Sequence, residues 1–280
     1  MEPKIELVIL VDNYAKEGLS VEHGFSIWIT AGGETLLLDT GQSDLVVQNA
    51  ELLGCDLAQV DALILSHGHY DHSGGVAAFL QKNHQARFFY HPEVFRKRYS
   101  LHPGKPAKSN GMSEHNAQLI RSLPASRCVV NSGVYQFNRQ VGLTGAIPRV
   151  HPLEDVGGPF FLDKTGNQAD NIEDDQALWI QTDRGLIIIT GCCHAGVINT
   201  VNYVRQVTGE QKIRAVIGGF HLHAASDERL EETIKAFREW QPEFIVPCHC
   251  TGKAVSEKLR SELGCHVEPG YVGWKKTLRL

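Results

Sequence analysis

Hydrophobic positions gather into two blocks of short apolar runs, one before residue 91 and one after residue 172, with a polar stretch between them. In the first block, the run from Ile5 to Val11 alternates into a strand. Phe25-Ser26-Ile27-Trp28-Ile29-Thr30 alternates too, Ala31-Gly32-Gly33-Glu34 supplies a turn, and Thr35-Leu36-Leu37-Leu38 pairs back as a hairpin. A helical stretch follows from about 44 to 53, then a buried strand at Ala62-Leu63-Ile64-Leu65, a helix opening at Val76, and a strand at Arg87-Phe88-Phe89-Tyr90.

The second block repeats the theme. Ala177–Gln181 and Leu186–Thr190 form a hairpin around Asp183-Arg184-Gly185, and Ala215-Val216-Ile217 and Phe244-Ile245-Val246 read as buried strands. Between the last two, Ser226 caps a helix with Leu230, Ile234 and Phe237 on one face and Glu231 paired to Lys235 at i,i+4. Strand pairs separated by helices, in two halves, imply two sheets packed face to face with helices outside. The predicted fold is an α/β, four-layer αββα sandwich in one domain over 1–280. Residues 91–172 are rich in Gly, Pro, Lys and Asn, with one amphipathic stretch from Ser113 to Leu123. They read as an inserted, lid-like region too poor in apolar residues for a core of its own.

Composition narrows the function classes. Hydrophobic content of 42% and charged content of 21% over 280 residues describe an ordinary globule. The net charge of −5 gives no reason to expect nucleic acid or an anionic membrane as partner, and no basic stripe with interleaved aromatics supports RNA cleavage. No apolar run approaches the roughly 20 residues that span a bilayer, and the N-terminus lacks the features of a signal peptide, so a cytoplasmic location is expected. Seven cysteines, an odd number, argue for reduced thiols rather than a disulfide framework.

Candidate chemistry concentrates in residues 66–75, Ser-His-Gly-His-Tyr-Asp-His-Ser-Gly-Gly. Four metal-capable side chains, His67, His69, Asp71 and His72, fall within six residues directly behind a buried strand. In an extended loop His67 and His69 point the same way, while Asp71 and His72 sit at the turn into a helix and are free to aim at a neighbouring point. That pattern suits two adjacent divalent ions, and mixed imidazole and carboxylate ligands suit zinc, with manganese or iron as alternatives. The bland alternative, a surface loop rich in histidine, fits poorly with so many ligand types behind one strand. Four further places end apolar runs as an active-site edge requires: Asp39, the Gly191-Cys192-Cys193-His194 turn, Gly218-Gly219-Phe220-His221, and Pro247-Cys248-His249-Cys250. His23 could also reach the site. Arg96, Lys97, Arg98, Lys105 and Lys108 read as a solvated face, or as a phosphate clamp if the insertion folds over.

His67-x-His69-x-Asp71-His72, preceded by Leu38-Asp39-Thr40-Gly41, resembles the metallo-β-lactamase superfamily. Glu22–Ser26, Asp174–Leu178, Gly191–Gly196, Gly218–Leu222 and His249–Gly252 resemble one branch of it, the dihydropterin-ribofuranosylaminobenzene phosphate synthase-like proteins. The resemblance implies that His67 and His69 hold one metal with a later histidine, that Asp71 and His72 hold the other with His249, and that Asp39 orients a ligand imidazole. This chain departs from the superfamily's usual order at the middle ligands, where a histidine would fall near Asp175 and an aspartate on Cys192. His194 is the preferred ligand there, with Cys192 and Asp175 in reserve. His221 is assigned to substrate or proton transfer, a role Asp71 could share.

The activity implied is a dinuclear metal-dependent hydrolase attacking a small phosphorylated or anionic substrate through a metal-bound hydroxide. Its alternatives are a transferase condensing a dihydropterin with a ribofuranosylaminobenzene phosphate, and a metal-bearing redox or ligand sensor using Cys192, Cys193, Cys248 and Cys250. Beyond the small-molecule substrate, a homodimer is allowed, and neither nucleic acid nor membrane is expected.

Overall fold

Leu36 and Leu38 point one way, Leu37 points the other, and each side finds its own core. A computed structural model describes residues 4–280. The first strands are β1 (Lys4–Val11), β2 (Ser26–Ala31), β3 (Glu34–Leu38), β4 (Ala62–Ile64), β5 (Arg87–Tyr90), β6 (Tyr99–Ser100), β7 (Lys108–Ser109) and β8 (Cys128–Val130). They are followed by β9 (Tyr135–Gln136), β10 (Val141–Leu143), β11 (Phe160–Phe161), β12 (Ala177–Thr182), β13 (Gly185–Thr190), β14 (Ile213–Gly219), β15 (Phe244–Cys248) and β16 (Lys275–Arg279). The helices are α1 (Leu45–Leu53), α2 (Tyr70–Ser73), α3 (Val76–Lys82), α4 (Glu114–Arg121), α5 (Val197–Thr208), α6 (Asp227–Trp240) and α7 (Lys253–Leu263).

One sheet runs β16-β1-β2-β3-β4-β5-β8 and the other β15-β14-β13-β12-β10-β9. Their inner faces share a core that joins Ile27, Ile29, Leu36, Leu38 and Ile64 to Leu178, Ile180, Ile187, Ile189 and Ile217. The outer face of the first sheet, with Leu37, Leu63 and Phe88, packs on Val46 and Ala50 of α1 and on Val76 and Phe79 of α3. The outer face of the second, with Trp179, Ile188 and Val216, packs on Val201 of α5, on Leu230, Ile234 and Phe237 of α6, and on Leu259 of α7. Two sheets with helices on both outsides make the four-layer αββα sandwich that the periodicity predicts.

The structure corrects two details. Residues 91–172 are not all insertion, because β8 pairs with β5 in the first sheet and β9 and β10 extend the second. What stands apart is a small sheet of order β11-β6-β7. Lys235 pairs with Glu232 at 3.2 Å rather than with Glu231. Ser226 does cap α6, accepting from Arg229 N. Among the described residues no helix is long and apolar enough to cross a membrane.

β3, β4 and β5 run parallel, as do β13, β14 and β15. Chemistry in such sheets collects at the carboxyl ends of parallel strands. Asp39 follows β3, His67 follows β4, Cys192 follows β13, His221 follows β14 and His249 follows β15. All five predicted strand-end positions therefore share one edge of the sandwich.

Candidate metal centre

Asp39 turns back across that edge in a left-handed backbone conformation, φ +61°. Its buried carboxylate accepts from Ser66 N at 2.7 Å, from Ser66 Oγ at 2.6 Å and from His72 Nδ1 at 2.6 Å. Because the Ser66 hydroxyl proton is committed to Asp39, Ser66 Oγ must accept from His67 Nδ1, 2.9 Å away. One carboxylate thus fixes the tautomer of two imidazoles and leaves the Nε2 lone pair of each facing inward. His67 Nε2 is buried without a partner, and burial holds that ring well below its usual pKa. Burial also opposes charge on His72, yet Asp39 overrides it and pushes His72 up to about 9. Gly191 is required beside this hub, since a Cβ there would collide with Ser66 Oγ and Asp39 Oδ2. The glycine lets the second sheet bring Cys192 to the first, with Sγ 3.0 Å from His72 Nε2.

His69 lies with its ring 4.5 Å from that of His67 and 4.9 Å from that of His194. Its Nε2 is 3.4 Å from the Asn110 amide, whose buried Oδ1 lacks a partner. Turning the amide so that Oδ1 accepts from Nε2–H satisfies both groups and leaves Nδ1 as the free lone pair. Asp71 Oδ2 sits 3.1 Å from His23 Nε2 and 3.3 Å from His249 Nε2. Burial works against the Asp71 carboxylate, but a hydrogen bond from His23 Nε2 and the neighbouring His249 and His72 rings hold it well below the usual range. His249 donates from Nδ1 to Asn13 Oδ1 at 3.0 Å, so its Nε2 also faces the centre.

Two of the second sheet's histidines are fixed by backbone. His194 Nδ1 donates to Val156 O at 2.8 Å and His221 Nε2 donates to Gly157 O at 3.1 Å. The strap carrying both carbonyls is pinned at each side. Buried Glu154 accepts from Ile198 N and Asn199 N at the start of α5, and Asp155 accepts from buried Arg229 Nη1 at 2.7 Å. Asp175 Oδ2 accepts from Ala195 N at 2.7 Å and Arg149 donates to His194 O, which fixes the Cys192–Ala195 turn from behind. His194 Nε2 and His221 Nδ1 are left buried without partners.

Three groups of ligand atoms, each mutually within 4.8 Å, share the Cys192 sulfur: His67–Cys192–His194, His72–Cys192–His249 and Cys192–His221–Cys250. A fourth is His23–Asp71–His249. A buried nitrogen acceptor left unpaired costs about 1–3 kcal/mol, and several converge here. Burial holds His67, His194 and His249 below their usual pKa, which keeps them in the neutral form that binds metals. The donor set therefore fits divalent ions. Asp39, Cys193, His221 and His249 all take positive φ, so backbone strain clusters at the same edge. A cavity of about 430 Å³ opens over the centre between Tyr70, Phe160, His221 and the small sheet.

The structure brings together His23, His67, His69, Asp71, His72, Cys192, His194, His221 and His249. Cys192 and His194 belong to one group, each offering a ligand atom beside His67. Asp39 and Asp175 stand one layer back, each holding a ligand-bearing segment. Arg98 is a correction. It is neither solvated nor a substrate clamp but buried in ion pairs with Asp174 at 2.6 Å and Asp170 at 3.1 Å. Of the other basic candidates only Lys108 lines the cavity. Asn13, Asn110, Arg149 and the strap around Val156 escaped sequence reasoning. No local pattern marks them, since Glu154 meets the start of α5 across 44 residues of sequence.

Comparison with known proteins agrees with this geometry. The metallo-beta-lactamase superfamily pattern matches residues 19–202. The chain is 30% identical over 260 residues to a 7,8-dihydropterin-6-methyl-4-(beta-D-ribofuranosyl)-aminobenzene-5'-phosphate synthase of Methanocaldococcus jannaschii, covering 89% of this chain and 88% of that one. It is also 30% identical over 267 residues to an uncharacterized protein of the same archaeon, covering 95% and 97% of the two chains. Among solved structures, a metal-dependent hydrolase of the beta-lactamase superfamily superposes with a TM-score of 0.82 at 30% identity, over 99% of this chain and 100% of that one.

Proposed function

This chain belongs to the metallo-beta-lactamase superfamily, and from that premise we propose that it is a dinuclear metal-dependent hydrolase of small anionic molecules. The observation that carries the reading is the convergence of free imidazole nitrogens on Asp71 and Cys192 at the floor of an open cavity. His67, His69 and His194 would hold one ion and Asp71, His72 and His249 the other, with the Cys192 sulfur as a donor shared by the two groups, and the imidazole and thiol donors favour zinc. Such ions would lower the pKa of a bound water toward neutrality and polarise the scissile bond.

The chain's own groups do the rest. His221 has its Nε2 proton committed to Gly157 O, so Nδ1 is available to exchange a proton at the cavity floor. Half-exposed His23 beside Asp71 links the floor to solvent. Lys108, His102 and His223 line the walls, and Asp71 is the sole carboxylate among the lining residues, which favours an anionic substrate.

Zinc-reconstituted protein should bind two equivalents and release phosphate from members of a phosphoester panel. His67→Ala with His69→Ala should lower turnover roughly a thousandfold or more while leaving the circular dichroism unchanged. Turnover retained in that double variant would overturn the reading. The named synthase among the relatives supports one other reaction, condensation of a dihydropterin with a ribofuranosylaminobenzene phosphate. Formation of that product, with no phosphoester cleaved across the panel, would decide for it.

A further inference from the structure

The Cys192 sulfur is shared by the metal groups, but Cys250 has no part in either ion's proposed ligand set. Cys192 follows β13 and Cys250 follows β15, with β14 between them. The middle strand ends in Gly219, and a Cβ there would lie 2.6 Å from Cys250 Sγ and 3.3 Å from Cys192 Cα. Only glycine leaves room for the turn His249–Thr251 to curl over β14 and bring one thiol to the other. The ligand atoms of Cys192, His221 and Cys250 lie within 4.8 Å of one another, and the Cys250 thiol donates to Cys192 O at 3.5 Å. Both residues line the 430 Å³ cavity, so a small oxidant can reach them. Their sequence neighbours point elsewhere. Cys193 Sγ meets Thr200 Oγ1 at 3.3 Å in the outer core, and Cys248 packs in the core between the sheets.

We propose that Cys192 and Cys250 are a site of reversible oxidation, closing to a disulfide that withdraws the shared sulfur from the metal groups. The ring closure stands on the thiol geometry alone, and only its effect on metal rests on the function proposed above. The two sulfurs, within 4.8 Å of each other, must close to the roughly 2.05 Å of a bond. Hydrogen peroxide supplies the oxidising equivalents. One thiolate attacks a peroxide oxygen, the O–O bond breaks, hydroxide leaves, and a sulfenic acid forms. The second thiol then attacks that sulfur, the S–O bond breaks, the S–S bond forms, and its proton leaves with the hydroxyl as water. Two thiols and one peroxide become one disulfide and two waters, and a dithiol reductant reverses the change. A disulfide sulfur is a much poorer ligand than a thiolate, so His67–His194 and His72–His249 each lose the donor they share.

The test uses the full chain. Metal-free protein is treated with equimolar hydrogen peroxide under native conditions, its remaining thiols are alkylated, and the digest is mapped by mass. The expected result is loss of two of the seven thiols and a cross-linked peptide pair, two hydrogens lighter than its parts, joining Cys192 to Cys250. Dithiothreitol should restore both thiols. Zinc-loaded protein given the same treatment should release its zinc to a chelating dye and rebind it after reduction. In Cys250→Ser no cross-link should form and the same peroxide treatment should leave the zinc bound. Absence of the Cys192–Cys250 cross-link in wild-type protein, or pairing through Cys193 or Cys248 instead, overturns the proposal. A protein that cleaves phosphoesters with zinc but forms no cross-link keeps the proposed function and loses this one.

Discussion

The two sheets hold their imidazoles by different means. On the first, a single carboxylate does the holding, with Asp39 taking His72 directly and His67 through Ser66. On the second, backbone carbonyls hold two of them, Val156 O for His194 and Gly157 O for His221, while the Asn13 side chain holds His249. A carboxylate favours charge on the ring it binds, and despite burial His72 is pushed up to about 9. A carbonyl offers far less, and burial holds His194 well below its usual range. The first half of the centre is therefore set by the electrostatics of one buried carboxylate. The second is set by where a distant strap is pinned.

If that contrast is right, the largest single effect comes from the carboxylate hub. Asp39→Ala leaves His72 Nδ1, Ser66 N and Ser66 Oγ without an acceptor in a fully buried place. Breaking a buried charged pair from one side costs about 3–5 kcal/mol. Removing the group that orients a ligand histidine typically lowers metal affinity about 10- to 100-fold. Denaturant unfolding of the metal-free protein and chelator competition should show both losses. A cost below about 1 kcal/mol would remove Asp39 from its central place.

Asp175 gives the next effect and a pH signature. Burial pushes this carboxyl from 3.8 up to about 6, even with Ala195 N donating to it. Above about pH 6 it is ionised in both folded and unfolded chains, and the folded state bears the desolvation cost. As pH falls, the folded chain takes up the proton first, so this group adds stability progressively until pH drops below 3.8. The gap from 3.8 to about 6 corresponds to about 3 kcal/mol. In metal-free protein the stability difference between wild type and Asp175→Asn should move toward wild type by up to that amount between about pH 7.5 and about pH 4. A difference that stays flat with pH would show that the carboxyl is not buried as described.

The same contrast explains how much the sequence disclosed. The first-sheet ligands sit within six residues behind an apolar run, so local spacing alone exposes them. On the second sheet each ligand is a single residue after its own strand, legible only once β13, β14 and β15 are assigned. The strap was invisible because it acts through the carbonyls of Val156 and Gly157, groups that every residue carries. Arg98 looked solvated because nothing near it in sequence announces Asp170 and Asp174 as partners. β8 and β10 are three residues long, too short for alternation to register, so the middle third looked like an insertion.

Glu154 tests the strap with the smallest expected energy. Its two carboxylate oxygens accept from Ile198 N at 2.8 Å and Asn199 N at 2.7 Å, satisfying two of the unpaired N–H groups that open α5. Glu154→Gln keeps one acceptor and sets an amide NH2 against the other N–H. The loss is one charge-assisted bond, offset by relief of burying a charge, so about 1 kcal/mol is expected. The structural consequence should exceed the energetic one, since moving residue 154 moves Val156 O and Gly157 O with it. Nuclear magnetic resonance of the histidine ring protons should show His194 and His221 shifted and broadened while His67 and His72 stay in place. Asp39→Ala should produce the opposite pattern. If Glu154→Gln disturbs all four rings alike, the two halves are not held independently, and the distinction between a carboxylate hub and a pinned strap gives way to one continuous network.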